Sequence, residues 1–312
     1  MLGLIWFDPV ASNQYVSSSL MNELRSSLLE LIRQTSAEIP NDVQRAILAS
    51  LEREKKSTLA ESTLKLILHN IELAKQKSQP ICQDTGSIIF YVDCPVSYDQ
   101  IAFEETAKEA VMLATRKGYL RQNSVDPLTG KNDGTNIGPG SPTFHFRQRR
   151  TPELTVRLLL KGGGCENVGA QYSLPDDNLK ANRDLDGCRK AILDAVLQAQ
   201  GKGCSPGVLG VCIGGDRTSG YELSKTQFLR RLDDHNPIPE LNMLEQDILN
   251  TANELGIGPM GFGGRTTLLG VKICAANRLP ASYFVSVSYM CWAFRRQGVM
   301  LNADGKITNW LY

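Results

Sequence analysis

Histidine is nearly missing from this chain: three in 312 residues, at His69, His145 and His235. They fall in an amphipathic segment, a β-like run and a polar loop, and read as structural or solvated groups. So few and so scattered, they give little support to a catalytic triad or a histidine-rich metal site. An excess of one charge is also missing. The formal net charge is +1 with His neutral, which points to neither nucleic acid nor an acidic surface as a partner. No apolar stretch approaches the roughly 20 residues needed to span a bilayer, so no membrane partner is expected. Leu2-Gly-Leu-Ile-Trp-Phe7 is apolar but short, with no basic stretch before it, so no signal peptide is expected. A Walker A loop, a G-x-G-x-x-G match, internal repeats and low-complexity tracts are all missing.

Cysteine is present, eight times, but never as C-x-x-C, which excludes zinc-ribbon and ferredoxin patterns. Without a signal peptide, buried thiols plus metal ligands in a reducing, cytoplasmic setting are expected rather than disulfides. Cys94, Cys188, Cys212 and Cys274 lie within apolar or amphipathic runs and read as small buried hydrophobes. Cys82, Cys204 and Cys291 each sit where a short polar or Gly/Pro-containing segment meets an apolar run. Three thiolates are one short of the four that complete an iron–sulfur cube. The missing ligand would leave one iron free to bind substrate as a Lewis acid.

Each motif has a plainer reading beside that one. Asp84, two residues from Cys82, could act as an acid or base; it could equally cap local amides in a helix-to-strand turn. Arg295 and Arg296, just after Cys291, could lower a thiol pKa or hold a substrate carboxylate bidentately. Lys161-Gly-Gly-Gly-Cys-Glu-Asn167 could form an anion-binding nest or a tight turn close to another backbone. Gly134–Gly140 is a flexible loop or a polar pocket wall, and Arg121-Gln122-Asn123 reads on its own as a surface turn.

Residues 1 to about 19 show no clear period and read as an extension. Leu20, Leu24, Leu28, Leu31 and Ile32 share a helical face, Asn41 is a plausible N-cap for a second helix, and a third starts near Leu59. Strand-like runs follow at 88–92, 154–160, 208–213 and 283–289, separated by helical patterns near 103–117, 183–200, 220–232 and 240–255. The expected class is mixed α/β (α+β). One catalytic domain is expected over 20–312, mostly helical to residue 80 and α/β from 81.

Taken together and in order, several segments resemble the iron–sulfur-dependent hydro-lyase family of class I fumarases and L(+)-tartrate dehydratases. They are Cys-Gln-Asp-Thr-Gly (82–86), Leu-Arg-Gln-Asn (120–123), Lys-Gly-Gly-Gly (161–164), Cys-Ser-Pro (204–206) with Ile-Gly-Gly (213–215), Leu-Gly-Ile-Gly-Pro (255–259) and Cys-Trp-Ala-Phe-Arg-Arg (291–296). The likeness runs colinearly from about residue 21 to 304 and is to the α subunit, or N-terminal domain.

Position by position, the resemblance implies Cys82, Cys204 and Cys291 as ligands of a [4Fe–4S] cluster. It implies Gln83, Asp84 and Arg121 in the substrate pocket, with the Gly162–Gly164 turn, Gly163 at its middle, beside it. Cys165 is matched in some tartrate dehydratases but is not a ligand position. The implied reaction is reversible addition of water to an activated C=C bond of a dicarboxylate, fumarate/malate first and tartrate or another hydroxy acid second. It proceeds through an aci-carboxylate intermediate, with Asp84 as an acid/base participant. A separate β subunit in an α2β2 assembly is implied as partner. One departure stands out: family members carry a substrate-contacting histidine twelve residues before the third cysteine, where this chain has Leu279. A non-catalytic cluster-bearing subunit and a zinc-binding structural protein remain as rival readings.

Overall fold

The computed structural model describes residues 18–312. The extension expected at residues 1 to 19 therefore lies outside the described residues, except that Ser18 and Ser19 open the first helix. Three helices come first: α1 (Ser18–Ala37), α2 (Asn41–Arg53) and α3 (Leu59–Lys77). Leu24, Leu28, Leu31 and Ile32 recur at helical spacing on α1 and are all buried. In α2 the cap differs from expectation by one residue. Pro40 is the N-cap and Asn41 the first helical residue; proline's fixed φ holds the entering chain extended there. Thr58 caps α3 by accepting the N–H of Glu61 at 3.3 Å, and the helix ends at left-handed Ser78.

The rest alternates. In chain order come β1 (Ser87–Pro95), α4 (Gln100–Arg116), β2 (Thr143–Arg149), β3 (Leu154–Lys161), the short α5 (Gly163–Asn167) and β4 (Ala170–Ser173). Then follow α6 (Leu185–Ala199), β5 (Gly207–Gly214), α7 (Arg217–Thr226), α8 (Pro239–Glu254), β6 (Leu268–Ala276), β7 (Phe284–Met290), β8 (Arg295–Leu301) and β9 (Ile307–Trp310). They build two sheets, of order β2-β1-β3-β8-β9 and β4-β7-β5-β6. The β1–β2 and β5–β6 pairs are parallel and the others antiparallel, so the chain is of the mixed α/β class expected. None of the described helices is long and apolar enough to cross a membrane.

The β1 strand explains the layering. Successive side chains point to opposite faces, so Ile88, Phe90 and Val92 join α1 and α4 in one core. Ile89 and Tyr91 face the other way, into a core shared with the second sheet and with α2, α3, α6 and α8. A strand buried on both faces has no polar side to show, which is why β1 reads as a continuous apolar run.

Two arginines at the head of β8 are wholly buried. Arg296 Nη2 meets Asp42 Oδ2 at 2.6 Å, its Nη1 donates to the carbonyl of Phe228 at 2.9 Å, and its guanidinium lies 4.1 Å from the Tyr312 ring centroid. It ties α2 to the first sheet. Arg295 Nη1 donates inward to the carbonyls of Asp84 at 2.5 Å and Thr85 at 3.1 Å. The expectation that this pair holds a substrate carboxylate is therefore corrected: neither guanidinium reaches solvent, and both terminal nitrogens of Arg296 are taken by Asp42 and backbone carbonyls.

Candidate active site

The Cys82 turn is set by its anchors. After α3 ends, Ile81 is buried, its N–H donates to Ser36 O at 3.1 Å, and its carbonyl accepts from Asn70 at 3.0 Å. The next residue therefore projects from a fixed point. Cys82 is half-buried, and its sulfur accepts the N–H of Asp84 at 3.4 Å.

Asp84 turns across to a segment far off in sequence. Its Oδ2 accepts the N–H of Gly163 at 2.6 Å and of Gly164 at 3.4 Å, at the start of α5. Asp84 does cap amides, one of its two expected readings, but those of the distant Gly-rich turn rather than local ones. The approach is close enough to demand glycine. A Cβ at Gly86, where φ is +77°, would sit 2.3 Å from the Lys161 carbonyl carbon.

Thr85 and Asn136 place the Arg121 segment. Thr85 Oγ1 accepts the N–H of Arg121 at 2.8 Å and donates to its carbonyl at 3.2 Å. Asn136, buried and at φ +62°, donates to the same carbonyl at 2.7 Å and accepts from the N–H groups of Asn123 and Ser124 at 2.9 and 3.0 Å. The backbone of residues 121–124 is thus clamped beside Asp84 while the side chains of Arg121 and Gln83 stay exposed. A polar cavity of about 260 Å³ opens here, lined by Asp84, Ser87, Asn123, Ser124, Ser141 and Gly163, among others. A larger cleft of about 510 Å³ lies elsewhere, between α1, α4 and the β8–β9 turn, and is lined by none of the cysteines.

Cys204 and Cys291 meet from neighbouring strands. Cys204 has left-handed φ/ψ just before β5, and Cys291 follows β7, to which β5 is paired. The N–H of Trp292 donates to the Cys204 carbonyl at 3.2 Å, which locks the two loops together. On the other side, Ser205 Oγ donates to Gly258 O at 2.6 Å and its carbonyl accepts from Met260 at 2.8 Å. The thiols sense one another. Burial pushes Cys204 up, and negative charge at Cys82, Cys165 and Asp84 adds to it. Cys291 is pushed up by its hydrogen bond with Cys165 and by complete burial. The same bond, with help from Lys161 and Arg295, draws Cys165 down.

All eight cysteines are free thiols. Cys94, Cys188 and Cys212 are buried in packing as expected, and Cys274 is partly so. Among the described residues no three His, Cys, Asp or Glu side chains are disposed to hold one metal ion. Thiolates that each take a different iron of a cube are not required to meet at one point. Two buried residues near these thiols keep donors without a partner: Tyr289 its hydroxyl, and Arg295 its Nε and Nη2. Burial raises the Tyr289 pKa, and charge on Cys291, Cys165 and Cys204 raises it further. A three-thiol set with orphaned donors around it suits an anionic metal–sulfur group.

The model of the family described as fumarate hydratase (Fumerase) matches residues 25–300. The chain belongs to that family. It is 53% identical over 296 residues to a protein of Geobacillus stearothermophilus carrying the name fumarate hydratase class I, covering 94% of this chain and 58% of that protein. The chain therefore spans little more than half the length of that relative. It is 33% identical to a Methanocaldococcus jannaschii protein named as an L(+)-tartrate dehydratase α subunit, covering 90% of this chain and 98% of the relative. To the L(+)-tartrate dehydratase α subunit of Escherichia coli it is 28% identical, covering 91% of this chain and 92% of that one.

Leu279, where the resemblance leads one to expect a histidine, lies away from these thiols. It is 74% exposed, in the turn that enters β7, whereas Cys291 leaves the strand's other end. Strand residues at about 3.3 Å each put the two ends roughly 20 Å apart. Leu279 therefore takes nothing from this chain's own cluster of thiols. The histidines also stay out: His69 and His235 are exposed, and His145 stacks on Tyr91 with Nδ1 3.1 Å from Glu222. Sequence reasoning missed Thr85, Asn136 and Tyr289. Asn136 had one legible signal, its place inside a Gly-rich loop where left-handed backbone is common, and Thr85 another, its place in the Cys-Gln-Asp-Thr-Gly motif; Tyr289 had none.

Proposed function

We propose that this chain is the cluster-carrying half of a [4Fe–4S] hydro-lyase that adds water to, or removes it from, a small dicarboxylate. The Trp292–Cys204 hydrogen bond carries the reading, because it joins two of the three thiol loops beside the carboxylate that reaches in from the third. Cys82, Cys204 and Cys291 hold the cluster, which when bound supplies an iron with an open coordination position as a Lewis acid. Asp84 moves the proton at the carbon next to the departing hydroxyl. Its Oδ2 is fixed by the Gly163 amide at 2.6 Å, so the carboxylate meets the substrate in one orientation. Arg121, exposed on clamped backbone, and Gln83, exposed between Cys82 and Asp84, take the substrate's carboxylate. Gly163 contributes the wall of the pocket; its N–H is already given to Asp84.

Fumarate/malate is the substrate we infer first, from the 53% identity to the protein named fumarate hydratase class I. Tartrate is second, favoured by the near-complete overlap with two proteins named as tartrate dehydratase α subunits. Those names also support a separate β partner, and we place it in an α2β2 assembly in which it completes the site. A reducing, cytoplasmic compartment keeps the thiols available. The test is anaerobic purification with iron and sulfide analysis, followed by assay with the matching β half. About four irons per chain, lost on Cys82→Ser, Cys204→Ser or Cys291→Ser, and fumarate hydration exceeding tartrate dehydration are expected. Full turnover by a cluster-free chain would overturn the reading.

A further inference from the structure

A buried polar hydrogen with no acceptor costs free energy, so two of them in one small region call for something that accepts. Tyr289 is 2% exposed, and its hydroxyl has no partner among the described residues. Its position is dictated by glycine. A Cβ at Gly203 would lie 2.6 Å from the Tyr289 ring, and one at Gly207 would lie 2.3 Å from its hydroxyl oxygen. The ring therefore lies against both ends of the Gly203–Gly207 segment that carries Cys204. It is also two residues from Cys291, on β7, where Tyr289 pairs with Leu209 of β5.

Arg295 approaches from the other side. It is four residues past Cys291 and wholly buried, and its Nη1 is spent on the carbonyls of Asp84 and Thr85. Its Nε and Nη2 remain without partners. Nη2 lies 3.4 Å from where a Cβ on Gly162 would be, and Gly162 O accepts from Cys165 at 3.1 Å. The guanidinium thus keeps donors between the Asp84 turn and the Gly-rich turn.

We propose that Tyr289 and Arg295 are positioning residues for the cluster, donating their free hydrogens to its sulfur atoms and so raising its reduction potential. The proposal rests on the three-thiolate reading given above. Hydrogen bonds to cluster sulfur stabilise the reduced form, which carries one more negative charge, over the oxidised form. Arg295 adds its charge to the same effect.

The experiment is an anaerobic reduction titration, followed by electron paramagnetic resonance, of the cluster-loaded chain with its β half. It compares wild type, Tyr289→Phe and Arg295→Lys. Tyr289→Phe keeps the ring that packs on Gly203 and Gly207; Arg295→Lys keeps a charge and a donor for the Asp84 and Thr85 carbonyls. Both variants are expected to hold iron as wild type does and to be reduced at a more negative potential. Full iron content with an unchanged potential in both overturns the assignment. If a variant loses its cluster, wild type reconstituted in H2O and in D2O decides by resonance Raman. Iron–sulfur stretching bands that shift on deuteration, and fail to shift in the surviving variant, support the assignment; bands indifferent to deuterium overturn it. A wild-type chain that takes up no cluster defeats the three-thiolate reading itself, an outcome distinct from unchanged potentials.

Discussion

Asp84 Oδ2 and the amide of Gly163 lie 2.6 Å apart, though the residues are 79 positions distant in sequence. This one bond aims the proposed proton-transfer group and pins the Gly-rich turn. The two duties separate under substitution. Asp84→Asn keeps an acceptor for the Gly163 amide and loses the base, so the fold and iron content should match wild type. Hydratase turnover should fall by about 10²–10⁴. Steady-state assay beside iron analysis checks it, and wild-type turnover in Asp84→Asn would remove Asp84 from the chemistry.

Gly86 and Gly118 give a controlled pair. Both have φ near +77°, +77° and +76°, but a Cβ at Gly86 would strike Lys161 backbone at 2.3 Å, whereas Gly118 has nothing within 4 Å. Gly118→Ala should cost only the left-handed penalty, roughly 1–2 kcal/mol. Gly86→Ala should cost more and push the Cys82 turn off the Gly-rich turn, with loss of bound iron. Urea midpoints and iron content read the difference. Equal effects at the two sites would mean that the close approach contributes nothing.

How much of this was legible beforehand depends on the range of the interaction. The helical face of α1 and the apolar runs of β1, β3, β5 and β7 follow from local periodicity, and they appear where expected. Strands β4 and β9 do not, because four residues carry too little pattern, nor do β6 and β8, where lysine and arginine break the apolar run; strand order is set by pairing across distant segments. Within the site, Cys82 and Cys204 stood out by the glycines and prolines near them, and Cys291 by Trp292 and the arginine pair after a strand. Their convergence did not, because it depends on bonds such as Trp292 to Cys204. The Arg295-Arg296 pair misled for a physical reason. Two arginines just after a cysteine suggest a thiol or substrate contact, whereas here Asp42 holds Arg296 and backbone carbonyls hold one end of Arg295, both inside the protein.

Asn136 offers a test of the clamp on Arg121. Its side chain makes bonds to the Arg121 carbonyl and to the amides of Asn123 and Ser124, so Asn136→Ala frees the whole 121–124 backbone. The proposed carboxylate-binding group then loses its aim while the thiols are untouched. KM for the dicarboxylate should rise roughly tenfold, with iron content unchanged. Asn136→Asp, which keeps the acceptor but not the donor, should fall between. A fall in kcat at constant KM would argue that residues 121–124 act on the chemical step rather than on binding.

Glu166 sets the acid limb of stability. It bridges Lys161, wholly buried at the end of β3, and Lys225 of α7. Burial by itself would raise the Glu166 pKa, but the charges and hydrogen bonds of the two lysines outweigh it, and the net direction is down. A carboxylate whose folded pKa is depressed contributes stability that is fully present above its unfolded pKa. That contribution is lost as pH falls through the folded value. Wild type should therefore be destabilised as pH drops below about 4.3, the ordinary glutamate value. Glu166→Gln leaves Lys161 buried without its anion. Since Glu166 is itself a third exposed, the expected loss near pH 7 is about 1–3 kcal/mol, less than for a wholly buried pair. The two proteins should converge as the pH is lowered, because protonation removes in wild type what the substitution removed already. Urea unfolding from pH 7 down to about pH 3 measures the gap; a gap constant across that range would show that Glu166 carries no pH-linked stability.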